Sequence, residues 1–258
     1  MTEYDGFRVE RDQSRGVVTI TLDIPEKLNR VPLAARDQLG HLFAELGVDE
    51  GVRFVVLTGA GEAFTAGGDI AGFLEADPEY LSRLAWNVAA PERFPKPVIG
   101  KLRGYCLGVG FELALSCDFR IAADDLQLGF PEIGLGMIPG SGGTQRLARL
   151  VGLGRTKDVV MRRRRIGAAD AFAWGLVSEV VPAEELDAAV ERVIGELAEL
   201  PPLALRMAKR VLNHVYDGPL SMGLEIEGLA YGLLRSTPDF REGVEAFGEK
   251  RPPRFEGR

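Results

Sequence analysis

The 258-residue chain is 46% hydrophobic and 27% charged, enough apolar material to pack a core and too much for a disordered chain. Its 31 basic against 38 acidic side chains leave a formal charge of −7, which argues against a protein built to neutralise nucleic-acid phosphates and leaves room only for a local basic pocket. Cys106 and Cys117 are too few for a disulfide framework, the polar N-terminus lacks an apolar signal core, and no apolar run approaches about 18 residues, so the expectation is a soluble cytoplasmic protein with no membrane partner.

Residues 7–11 read as extended, residues 14–16 as a turn and residues 17–23 ("VVTITLD") as a β-branched strand, so the chain opens on a hairpin that ends at Pro25. Over residues 32–46, Leu39, Leu42, Phe43 and Leu46 recur at helical spacing, and "VRFVVLTG" comes next as a short apolar strand. The alternation repeats with a strand over residues 97–102, a helix over residues 111–116 and a strand over residues 119–123. Such alternation predicts an α/β protein of βαβ units with parallel pairing. From about Glu184 only helical patterns remain, in "EELDAAVERVIGELAEL", "PPLALRMAKRVLNHV", residues 220–234 and "TPDFREGVEAFGEKR". A helical tail of this size packs on its own body or on another subunit.

Several chemistries are missing their residues. "GVG" and "GSGG" do not complete G-x-G-x-x-G, since Gln145 takes the last position after Gly140, and no phosphate-loop motif is present. His41 and His214 are the only histidines, neither near a nucleophile elbow, and no group of residues has metal-ligand spacing.

The remaining candidates are glycine-rich segments holding isolated acids: "AFTAGGDI", "GYCLGVGFEL", "LGFPEIGLGMIPGSGGTQR" and "REGVEAFGEKRPPRF". Turns at Gly67–Gly68 and Gly108–Gly110 can bring backbone N–H groups together as an oxyanion hole, the second opening a helix at about Phe111. Glu112 then falls in the first helical turn, and the Phe-Pro pair before Glu132 sets an extended backbone there. Two acids in an apolar site can have their proton affinities pushed apart into a base and an acid. The plainer alternatives stay open: a dipole partner or cap for Glu112, a surface loop for Glu132.

These motifs, in this order, resemble the crotonase, or enoyl-CoA hydratase/isomerase, superfamily over nearly the whole chain. "AFTAGGDI" resembles its AF-x-AG-x-D segment, "GYCLGVGFELALSCDFRIA" its glycine-rich E-L run ending in CD, and "FPEIGLGMIPGSGGTQRLARLVG" its PE-x-x-x-G-x-x-PG-x-GG-TQRL segment; "GLVSEVVP" and the tail match late signatures. The resemblance implies a crotonase-like spiral of ββα units in residues 1–195, holding the CoA and acyl site, and a C-terminal helical region, residues 196–258, that assembles trimers, often paired into hexamers. It implies hydration of a 2-enoyl-CoA to a 3-hydroxyacyl-CoA, or the reverse. Glu112 and Glu132 hold one water, Glu112 activating it for attack on C3 and Glu132 giving a proton to C2. The N–H groups of Gly68 and Val109 bind the thioester oxygen, and that of Gly140 orients the water. Lys27, Leu28, Ala66, Gly68 and Ile70 contact CoA, with Phe247 and Lys250 reaching the CoA of a neighbouring subunit. Coenzyme A arrives as part of the acyl-CoA substrate, with no separate cofactor, metal or nucleic acid.

The chain departs from the family pattern at Val109, where a middle glycine is usual and a β-branched side chain narrows the acyl site, and at Arg30, which either touches a CoA phosphate or is merely exposed. Arg163 replaces a glycine suited to a left-handed helix end, within a four-arginine run (Arg162 to Arg165) that reads as a solvated face. Phe247 reads equally as helix packing and Lys250 as a surface charge. An enoyl-CoA isomerase or acyl-CoA hydrolase on the same fold competes with the hydratase reading, and a non-catalytic or RNA-associated member stands behind both; retention of both acids favours water addition.

Overall fold

The computed structural model describes residues 4–258, and the chain divides into two compact units, one running to Phe94 and resuming over Val98–Val190, the other made of Pro95–Pro97 and Glu191–Arg258. The first unit begins with the hairpin the sequence predicts: β1 (Phe7–Asp12) pairs antiparallel with β2 (Val17–Leu22). The Asp12 side chain accepts the N–H groups of Ser14 and Arg15, and Gly16 (φ 67°) closes the turn. Helix α1 (Leu33–Val48) buries Ala35, Leu39, Leu42, Phe43 and Leu46, and β3 (Phe54–Gly59) then pairs parallel with β2. Two short helices, α2 (Ile70–Phe73) and α4 (Ala90–Arg93), flank the longer α3 (Pro78–Val88), whose Asp77 cap accepts the N–H groups of Glu79 and Tyr80.

The pattern then repeats with β4 (Val98–Leu102), β5 (Tyr105–Leu107), α5 (Val109–Ser116), β6 (Phe119–Ala123), β7 (Gln127–Gly129) and α6 (Gly143–Met161), the last interrupted at Gly152. It closes with β8 (Ile166–Gly167), α7 (Ala168–Ala173) and β9 (Glu179–Val181). The large sheet has the order β1-β2-β3-β4-β6-β9, parallel beyond the hairpin. A small sheet, β5-β7-β8, continues through single parallel bridges, Thr65 to Cys106 and Val31 to Gly68. Each pass therefore lays one strand in the large sheet, one segment in the small ladder and then a helix. That is the spiral of ββα units the resemblance implied, and its apolar core includes Ile20, Leu57, Phe64, Leu102, Phe111 and Phe130.

Asn29 fixes the first crossover. It is fully buried with φ 55°, accepts the N–H of Ile24, and donates through Nδ2 to the carbonyls of Ala60 (2.7 Å) and Ala63 (2.8 Å). Replacing Asn29 with alanine leaves those buried backbone groups unpaired in a left-handed conformation alanine dislikes, so we expect a loss of roughly 3 kcal/mol. Calorimetry should then show Tm falling by about 10 °C, and a fall under about 2 °C would rule out this anchoring role.

Helix α8 (Leu186–Ala198) crosses from the first unit into the second, which holds α9 (Pro202–Asn213), α10 (Leu220–Arg235) and α11 (Pro238–Glu249). Thr237 caps α11 by accepting the Phe240 N–H at 3.1 Å, and Lys250 (φ 56°) ends it. The tail returns along α11: Arg251 pairs with Glu242 through both Nη atoms, and buried Asp239 accepts the N–H groups of Glu256 and Gly257. Among the described residues no helix is long and apolar enough to cross a membrane.

Candidate active site

Two turns from neighbouring strands meet at the site. Thr65 donates its N–H to the Tyr105 carbonyl (2.8 Å) and accepts that of Leu107 (3.0 Å), so the segments after β3 and through β5 run side by side in parallel. Gly67 (φ 119°) and Gly108 (φ 54°, ψ −125°) then turn the chain through conformations that side chains disfavour. The next residues, Gly68 and Val109, present N–H groups that donate to no other described residue. The Val109 amide is the first of α5 and lies at its positive end. Helix α5 thus starts at Val109, two residues before the predicted Phe111. The glycines made residues 108–110 look like one turn, but only Gly108 needs a positive φ, and Gly110 is small because a Cβ there would run into the Thr65 methyl.

Glu112, in the first turn of α5 and 2% exposed, caps another helix. Its Oε1 accepts the N–H groups of Ser141 (2.6 Å) and Gly143 (3.0 Å) at the start of α6. Arg146 holds that loop by donating to the Ser141 carbonyl (3.0 Å) and to Glu92 (2.7 Å). Burial raises the proton affinity of Glu112, while the two amides and the cations Arg36 and Arg146 pull it back.

Glu132 sits in a 3-10 turn, Glu132–Leu135, and its backbone is not extended as the sequence suggested. The restriction before a proline acts on Phe130; Pro131 itself is helical (φ −82°, ψ −9°) and its carbonyl accepts the Gly134 N–H. The side chain turns inward, with Oε2 buried and without a hydrogen-bond partner. Burial pushes its pKa up to about 7 against the pull of its own N–H, with smaller and opposed contributions from the charges of Glu112 and Arg36. One acid is thus braced by amides and the other is not, the arrangement that drives two proton affinities apart.

Both carboxylates, Gly68, Val109, Gly140, Ala66 and Ile70 line one cavity of about 170 Å³. Leu28 accepts the Ala66 N–H at 2.8 Å, which brings Lys27 and Leu28 to its rim strand. Phe247 and Lys250 belong to the second unit, where Phe247 is 88% exposed on α11. Arg30 pairs with Asp69 at 3.4 Å. The arginine run is exposed, as a solvated face is, and its charges are locally paired: Arg162 and Arg164 with Asp158, Arg164 also over Trp174, Arg165 over Tyr105, while Arg163 adopts φ 58° as the missing glycine would.

Sequence reasoning missed Arg36. It lines the cavity at 6% exposure, its guanidinium over the Phe73 ring (5.1 Å). Burial lowers its proton affinity, and the charges of Glu112 and Glu132 raise it. The signal was available: Arg36 stands three residues before Leu39 and seven before Phe43, a charge on the apolar stripe of α1.

The family described as enoyl-CoA hydratase/isomerase matches residues 12–258. A probable enoyl-CoA hydratase of Mycobacterium tuberculosis, echA8, is 38% identical over 98% of both chains, and a crotonyl-CoA hydratase of Syntrophomonas wolfei is 36% identical over 98% of both. Among solved structures, an enoyl-CoA hydratase subunit from Geobacillus kaustophilus superposes with a TM-score of 0.94 at 37% identity, covering both chains completely.

Proposed function

This chain belongs to the enoyl-CoA hydratase/isomerase family, and from that premise we infer that its cavity adds water across the double bond of a 2-enoyl-CoA to give a 3-hydroxyacyl-CoA, or runs the reverse. The observation that carries the reading is the pair of unlike carboxylates facing one cavity beside two unpaired amides.

The thioester oxygen accepts the N–H groups of Gly68 and Val109. As the enolate forms, negative charge grows on that oxygen, so these bonds strengthen in the transition state and lower the barrier. Glu112, its Oε1 fixed by two amides, takes a proton from the water as its oxygen bonds to C3. Glu132, with a pKa near 7, carries the proton that passes to C2. The Gly140 N–H orients the water. A proton returned from Glu112 to Glu132 resets the site, and the oxidation level is balanced, so the step draws on no cofactor beyond the CoA of the substrate. Lys27, Leu28, Ala66 and Ile70 contact that CoA, and Phe247 and Lys250 reach it from a neighbouring subunit. Cys106 and Cys117, buried and not joined in a disulfide, fit a reducing cytoplasm.

The test is loss of enoyl-thioester absorbance on adding enzyme to crotonyl-CoA and to longer, branched and cyclic enoyl-CoAs. Turnover that collapses in Glu112→Gln supports hydration. A shift of the double bond without hydration, or release of free CoA, would move the reading to isomerase or hydrolase chemistry.

Assembly as a trimer or a hexamer comes from the same reading. In the second unit an apolar groove lined by Tyr231, Leu234, Phe240, Val244, Phe247 and Phe255 supports it. Light scattering should give three or six times the 28.0 kDa chain mass, and a monomer would remove the neighbour's contribution to CoA binding.

A further inference from the structure

The proposed chemistry leaves one charged group of the cavity unused. Arg36 is 6% exposed, its Nε is buried without a partner, and its guanidinium donates no hydrogen bond to any described residue. None of the acids around it takes a hydrogen bond from it: Glu112 accepts the amides of Ser141 and Gly143, Asp37, next on α1, accepts Tyr80 Oη (2.5 Å) and Asn87 Nδ2 (2.7 Å), and Glu132 acts on it through charge alone, its Oε2 unpartnered. Phe73 stacks on the guanidinium from one side, and Nη2 lies so close to Gly68 that a Cβ there would sit 2.5 Å from it. A planar donor fork held in place, out of water and unpaired, is costly to keep unless a ligand completes it.

That ligand atom is neither the thioester oxygen, which has its own two amides, nor the attacking water, which has two carboxylates. We propose that Arg36 is the receptor for the acyl group, selecting enoyl thioesters whose acyl chain carries a carboxylate over plain hydrocarbon chains. The inference rests on the cavity being an enoyl-thioester site. The apolar wall of Phe73, Leu81, Leu135 and Met137 suits the methylenes between C3 and the carboxylate. The charges allow it, because Glu132 is protonated when it acts as the acid, so the incoming anion meets one cation and one carboxylate. A carboxylate fills the guanidinium fork with two parallel bonds, and a methyl end leaves the buried donors unpaired, a difference that discriminates strongly between ligands.

Calorimetric binding of saturated thioesters in matched pairs tests this without requiring turnover: succinyl- against butanoyl-CoA, glutaryl- against pentanoyl-CoA, and adipyl- against hexanoyl-CoA. The wild type should favour the carboxylate member of at least one pair by about tenfold or more. That ratio should fall to about one in Arg36→Met and be partly kept in Arg36→Lys. A preference under about twofold in every pair, measured on the wild type alone, overturns the proposal, as does an Arg36→Met variant that weakens both members of a pair by the same factor. If 5-oxohexanoyl-CoA binds as tightly as glutaryl-CoA, selection of an anion is overturned. Failure of all the thioesters to bind would reject the cavity's assignment together with this one; binding without preference rejects this one alone.

Discussion

Glu132→Gln should lower kcat for hydration by about 10³-fold while thioester affinity stays within about threefold, because glutamine keeps the shape of the site and removes its proton donor. In the wild type, kcat/KM should fall as pH rises through about 7, where Glu132 loses its proton, and fall again on the acid side as Glu112 becomes protonated. Wild-type turnover by the variant, or an alkaline limb that survives in it, would reject the assignment of Glu132 as the acid.

The same substitution should make the protein more stable. Glu132 holds its proton more tightly in the folded protein than in the unfolded chain, where its pKa is about 4.3. The cost of ionising it in the fold is absent below about pH 4, grows between there and about 7, and is complete above. Its partial exposure lets solvent reduce that cost, so the glutamine variant should gain on the order of 1–3 kcal/mol at pH 8 and nothing at pH 4. Thermal melts at the two pH values check the sign, and an equal shift at both would remove the electrostatic explanation.

Gly108→Ala should have the second large effect. The ψ of residue 108 sets the plane of the next peptide, so its value of −125° directly aims the Val109 N–H. Alanine is strained at φ 54°, and its Cβ would sit 2.8 Å from Glu132 Oε1. Relieving either problem swings the amide away from the thioester oxygen, for an expected loss of kcat of roughly 10²- to 10³-fold, the size of effect that removing one oxyanion donor produces. Circular dichroism should show the fold intact; activity within about threefold of wild type would mean that this amide is no part of an oxyanion hole.

How much of this was readable from the chain depended on element length. The strands and helices of the large sheet span five or more residues and announce themselves by period, except β9 at three residues. Strands β5, β7 and β8, with three, three and two residues, are too short to carry an alternation, so the small sheet stayed hidden. Glu112 stood out as an acid in an apolar run, yet nothing local could say that it caps α6, because its partners Ser141 and Gly143 lie 29 and 31 residues on. Glu132 was misread through the proline beside it, since a 3-10 turn is decided by the residues downstream, here Gly136 at φ 74°. The fold was easier to see than the site because periodicity is local and the site is assembled from crossings.

Gly68 and Val109 each lie three residues beyond a bridged pair, Thr65 and Cys106. Their relative position is therefore set by the count of residues from that rung through the two glycine turns, and owes nothing to either side chain. The site should accordingly tolerate exchange of the residue at position 109 far better than a change of count. Deleting a single residue from either segment between bridge and turn would slide one donor by about 3.3 Å past the other, leaving both amides in place and no common point for one oxygen. In such a ladder, chain length is the fixed dimension and chemistry at the rung is free to drift, which is how a valine can stand in a run of glycines.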